Sequence, residues 1–175
     1  MAAVRRRRPL SFRAVNRNDL PGFQPGMQRH HLLPHQLLHQ PCFAGLIGAI
    51  GYERLGYHDF RRNGLLLPAT EKAAGSLGLP LHRGPHRAYN ELVLERVGQI
   101  EERWSRYRRL APQAALDEAV MRLDLLQSAL RRRLLSVEQR PFLLNRNDPL
   151  GKGLDFAELD AMVDVLWASS SWTCH

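Results

Sequence analysis

Apolar residues recur at three-to-four spacing in two long stretches of the chain. Tyr89, Val93, Val97, Ile100, Trp104 and Tyr107 follow that rhythm, which predicts a helix with one buried stripe over about 85–109, with Pro85 in its first turn. Pro112 opens a second helix, with Leu116, Leu123, Leu126, Leu130 and Leu134 on its buried face. Asp155 and Glu158 are spaced like a capping box ahead of a last helix bearing Phe156, Leu159, Val163 and Leu166, after a loop over 141–153. Everything beyond 111 therefore reads as a helical hairpin plus one more helix. Upstream the pattern shortens. Residues 27–33 form a strand ended by Pro34, and 35–38 a single helical turn. The stretch 43–55 is apolar all round with Gly45, Gly48 and Gly51, which suits a buried helix in close contact with its neighbours. Asn63-Gly64 is a turn signal before the run Leu65-Leu66-Leu67 and Pro68, a second short strand. Thr70 then begins a short helical piece through Ala74, and Gly75 and Gly78 end it. The fold class is α+β, mainly helical, with a very small strand pair.

Composition narrows the partners. A chain of 175 residues with 44% hydrophobic and 24% charged positions has the make-up of an ordinary globular domain. Its formal net charge is +8, almost all of the excess being arginine, with Lys72 and Lys152 the only lysines. Such a balance favours a polyanionic partner, because each cation placed near a phosphate releases a condensed counterion. Arg5 to Arg8 repel one another and offer nothing to bury, so residues 1–18 read as a basic flexible arm. Residues 19–110 form the core, and 111–175 a helical extension packed on it. Cys42 and Cys174 are the only thiols, too few for a cysteine zinc site. No run of about 18 apolar residues predicts a membrane span, and nothing near the start has the apolar core of a secretory signal.

The histidines carry the chemistry. His30 and His31 close the first strand, where neighbouring side chains point to opposite faces. Their adjacency suits a division of labour, with one imidazole on a metal and the other beside it as a base. His82 and His86 flank Gly84 at the start of the long helix, and that spacing lets both rings converge on one ion. Asn90 falls one turn beyond His86 and is a candidate to ligate the ion or orient a bound water. A strand-end His pair, an Asn-Gly turn before a second strand, and a His pair at a helix start follow in the order of a ββα-metal unit.

Three segments, 27–34 (MQRHHLLP), 63–68 (NGLLLP) and 81–93 (LHRGPHRAYNELV), resemble the AHH family of the HNH/endonuclease VII superfamily. The resemblance covers roughly residues 23–97, and Arg29 occupies the place of the Ala in the family name. It implies a His-Me finger core and a metal-dependent endonuclease that hydrolyses phosphodiester bonds, with DNA favoured over RNA. His30, His82 and His86 become metal ligands, His31 the general base, and Asn63 the residue that fixes the loop holding the base. Arg29, Arg83 and Arg87 surround the two clusters as candidates for phosphate binding, and His35 is near enough to support the first pair. Three imidazoles suit one Zn or Ni ion, although Mg or Mn would also support turnover. The resemblance also implies a toxin or effector in bacterial conflict, with an immunity or carrier protein as partner. The expected location is the bacterial cytoplasm, or export by a route without a signal peptide. A homodimer through the C-terminal helices is a further expectation. The competing function is a non-catalytic nucleic-acid-binding module whose His cluster holds a structural metal. Such a site needs four closed ligands and has no use for a free His31.

Overall fold

The computed structural model describes residues 8–136 together with 144 and 148. Strands β1 (Met27–His31) and β2 (Gly64–Pro68) pair antiparallel, with His30 opposite Leu65 and His31 opposite Gly64. The described residues are thus α+β with one two-stranded sheet and mostly helices, compatible with a ββα core. A two-stranded sheet is marginal alone in water, so it must be buttressed. Leu65 and Leu67 of β2 join Leu32, Leu33 and Leu37 in one apolar cluster with residues from the helices.

Between the strands, the chain makes 3-10 turns at His35–His39 and Pro41–Phe43, then α1 (Ala44–Ile50), α2 (Tyr52–Leu55) and α3 (Phe60–Asn63). The single helix expected over 43–55 is broken at Gly51, whose φ of 79° and ψ of 145° cannot continue a helix. Asp59 caps α3 by accepting from the Arg61 N–H at 3.1 Å. Asn63 is therefore the last residue of a helical turn rather than the opening of a two-residue hairpin loop. β1 ends at His31, two residues earlier than expected, because Leu32 and Leu33 turn inward and are fully buried.

After β2, Thr70 caps α4 (Glu71–Leu77) through the Ala73 N–H at 3.3 Å, and Gly78 ends it in the left-handed region. Residues 79–86 then run without regular structure into α5 (Arg87–Tyr107). Pro85, expected in the first turn of α5, instead precedes it, and His86 occupies the capping position. Pro112 does open α6 (Pro112–Leu135). Helices α5 and α6 fold back on each other, tied by Arg103 to Glu118 at 2.7 Å. Tyr107 does not complete the expected stripe and is exposed, whereas Leu92 joins Tyr89, Val93, Val97, Ile100 and Trp104 inside. On α6, Ala115, Ala119, Leu123, Leu126, Leu130 and Leu134 are buried in the same cluster as the strand residues, with Leu116 only packed against it. The last helix expected from Asp155 onward lies outside the described residues, as does the loop over 141–153 apart from Leu144 and Asp148.

The described part of the expected arm, 8–18, is held to the core. Ser11 bridges Asp59, the Leu10 N–H donates to Asp59 Oδ1 at 3.0 Å, and the Phe60 N–H donates to the Leu10 carbonyl at 2.7 Å. Within these residues, backbone pairing at Leu10 and Ser11 ties the chain to Asp59 and Phe60. No helix of the described residues is long and apolar enough to cross a membrane.

Candidate functional site

His30 projects from the inward face of β1 and is 3% exposed. His82 comes from the irregular stretch after α4, and His86 from the capping position of α5. Their rings meet: centroids lie 4.9 Å apart for His30–His82, 5.7 Å for His30–His86 and 4.4 Å for His82–His86. One ligand nitrogen from each falls within 4.8 Å of the others, the only such metal-capable group among the described residues. Burial, together with the neighbouring His82 and His86, holds the His30 imidazole well below its usual range. His82 is pushed down to about 4, chiefly by burial and then by His86 and His31. Rings that keep a lone pair free are what a cation requires.

Second partners choose which nitrogen faces inward. His82 Nδ1 lies 3.2 Å from Gln28 Oε1, and His86 Nδ1 lies 3.0 Å from the Leu144 carbonyl. Both oxygens are acceptors, so each Nδ1 carries the proton and each Nε2 is left with a free lone pair. His30 Nε2 is buried without a hydrogen-bond partner. An orphaned imidazole nitrogen costs free energy unless something occupies it, and a divalent cation fits that donor set.

His31 faces the other way. Its ring stacks on Phe12 at 3.8 Å with 5° between planes, and on its other side Tyr57 lies 5.8 Å away. Burial first, then the nearby His35, His58 and Arg29, push the imidazole down to about 4, so it is unprotonated at neutral pH. The residues after it are clamped by Asn63, which is fully buried. Asn63 Oδ1 accepts from the Leu33 N–H at 2.7 Å, its Nδ2 donates to the Tyr57 carbonyl at 3.1 Å, and its carbonyl accepts from the Leu32 N–H at 2.9 Å. Asn63 touches backbone only on this side, so it acts by position. Gln127 of α6 donates to the same Oδ1 at 3.3 Å.

The remaining candidates are scattered more widely. His35 pairs with His39 at 3.1 Å and influences His31 rather than joining the triad. Asn90 donates to Gln36 Oε1 at 3.4 Å. Arg29 is exposed and donates to the Phe12 carbonyl at 2.9 Å, holding the arm over His31. Arg83 and Arg87 are exposed on either side of His86. Sequence reasoning missed Gln28, Phe12, Tyr57, Gln127 and the Leu144 carbonyl. Gln28 was within reach, since alternation in β1 puts it on the face of His30.

A histidine triad at the junction of a strand and a helix, with a further imidazole beside it on the strand, is compatible with the ββα core of a nuclease of the HNH/ENDO VII superfamily. The chain belongs to the AHH family, a nuclease family of that superfamily, which matches it over residues 12–129. The match is wider than the segments that carry the sequence resemblance, taking in part of the arm and most of α6. Arg29-His30-His31 stands in place of the family's Ala-His-His. No curated protein and no solved structure matches the chain significantly.

Proposed function

We propose that this nuclease is a metal-dependent endonuclease in which His31 is the general base and His30, His82 and His86 hold one divalent ion. The observation that carries the reading is the orphaned His30 Nε2 inside a triad whose other two rings have their Nδ1 atoms satisfied elsewhere. Three protein ligands leave a coordination position open, as a catalytic site needs and a structural one does not. When bound, the ion would stabilise charge on the phosphate oxygens as a Lewis acid.

The chain's own groups do the rest. His31, unprotonated and held flat by Phe12, takes a proton from the attacking water. Asn63 keeps the turn after His31 in place, so that the base does not swing away. Arg83 and Arg87, exposed beside His86, bind the phosphates that flank the scissile bond. DNA is favoured over RNA, and Zn or Ni over Mg or Mn, because imidazole nitrogens suit the former pair. A bacterial toxin or effector role, with an acidic immunity protein as partner, is the biological setting of this reading. A small acidic protein encoded beside it would support that setting.

The test is incubation of the full chain with supercoiled plasmid and with RNA across Mg, Mn, Ni and Zn, beside the His31→Ala variant. Cleavage by the wild type, lost in His31→Ala while nucleic-acid affinity is kept, is the expected result. A wild type inactive on every substrate and ion would overturn it.

A further inference from the structure

Two of the three ligand rings sit on the stretch 81–86, which lacks regular structure and includes Gly84 at a φ of 79°. Without anchors, such a segment would fluctuate, and each ring would lose entropy on binding a cation. One anchor is local: the His82 N–H donates to the Pro68 carbonyl at 2.6 Å. The other two come from beyond α6. Asp148, 6% exposed, accepts from the Leu81 N–H through Oδ2 at 2.7 Å. Leu144, 4% exposed, offers its carbonyl to His86 Nδ1 at 3.0 Å. Both residues lie past position 129, where the family match ends.

We infer that Asp148 and the Leu144 carbonyl, both beyond the family match, form a clamp that sets the metal affinity of the His triad. The inference rests on the reading that the triad holds a divalent ion. Asp148 fixes the Pro80–Leu81 peptide, while the Pro68 carbonyl fixes the Leu81–His82 peptide, and together they set the direction in which the His82 side chain leaves the backbone. A carboxylate oxygen accepting from a buried N–H is a strong hydrogen bond in a place of low dielectric. The Leu144 carbonyl holds the proton of His86 on Nδ1 and so turns Nε2 toward the triad. Together they preorganise two ligands from a part of the chain distant in sequence. Asp148 is a positioning residue, acting through Leu81.

The test is a titration of the full-length apo chain with Co(II), read by its visible absorption and checked by Zn competition. The wild type should bind one equivalent. Asp148→Ala should bind about 10- to 100-fold more weakly. Asp148→Asn should lose less, because its amide oxygen still accepts from Leu81. Asp19→Asn, an exposed control paired with Arg17, should match the wild type. Far-UV circular dichroism establishes that each variant is folded at the titration temperature. Should Asp148→Ala fail that check, Asp148→Leu, which keeps side-chain bulk but accepts no hydrogen bond, takes its place. Wild-type affinity in the folded variant without an acceptor overturns the clamp while leaving the triad's metal intact. A wild type that binds no stoichiometric cobalt or zinc overturns the metal reading, and the clamp with it.

Discussion

Asn63 shows how much one buried amide can hold. It satisfies the Leu33 N–H, the Tyr57 carbonyl and the Gln127 amide at once, with no exposure to water. Replacing it with Ala strands those groups, and a buried unsatisfied group costs more than a hydrogen bond gains. Asn63→Ala is expected to lower stability by about 3 kcal/mol, measured by urea unfolding. It should also cut plasmid cleavage at a temperature where the variant is still folded, with cobalt affinity unchanged. An equal fall in metal affinity would mean that Asn63 supports the triad rather than the base. The place of Asn63 just before the second strand was legible because the Asn-Gly pair is a local signal, whereas its role as the residue that fixes the loop came only with the family resemblance. Gln127, 64 residues further on, carried no such signal. Its partner is set by how α6 docks, and docking depends on the shape of the whole core. Phe12 was hidden for the same reason: it reaches His31 because Leu10 and Ser11 pair with Asp59 and Arg29 holds its carbonyl.

At the scale of elements, periodicity located the long helices, and glycine decided where the short helices α1, α2 and α4 stop. Both long helices read directly from their apolar stripes, since a 3.6-residue period summed over six turns outweighs local exceptions. Short elements were less legible. The stretch over 43–51 is apolar throughout, so it gave no period to locate the break at Gly51. Two glycines in that stretch separate the causes. Gly51 has a φ of 79° with nothing near its missing Cβ, whereas Gly48 sits inside α1, also with open space around it. Gly51→Ala should destabilise by roughly 1 to 3 kcal/mol through backbone strain alone. Gly48→Ala should stabilise by about 0.5 to 1 kcal/mol, as a helix gains from a side chain that restricts the unfolded state. Opposite shifts in thermal midpoint are the expected pair of results. Shifts of the same sign would show that contacts, not backbone conformation, govern both positions.

For the whole molecule, the triad draws together a strand and, more than 50 residues further on, a loop and the helix start that follows it. His30 packs against Tyr89, whose ring lies 4.9 Å away and whose hydroxyl donates to the Leu32 carbonyl at 2.7 Å, and His86 is held by the Leu144 carbonyl. Any ion bound there cross-links β1 to α5, and it binds only the folded state. Stability and metal occupancy are then linked by mass action. Zinc at a free concentration about 100 times its Kd should stabilise the fold by about 2.7 kcal/mol. For a chain of this length, that is a rise in Tm of roughly 5 to 10 °C. His30→Ala should abolish the rise, because it deletes the ring whose Nε2 is otherwise orphaned. His39→Ala, whose ring pairs only with His35 among the contacts described above, should keep it. A differential scan with and without zinc, returned to baseline by a chelator, reads all three chains. Equal shifts in the two variants would mean that zinc binds at exposed histidines, and that the buried nitrogen of His30 has some other purpose.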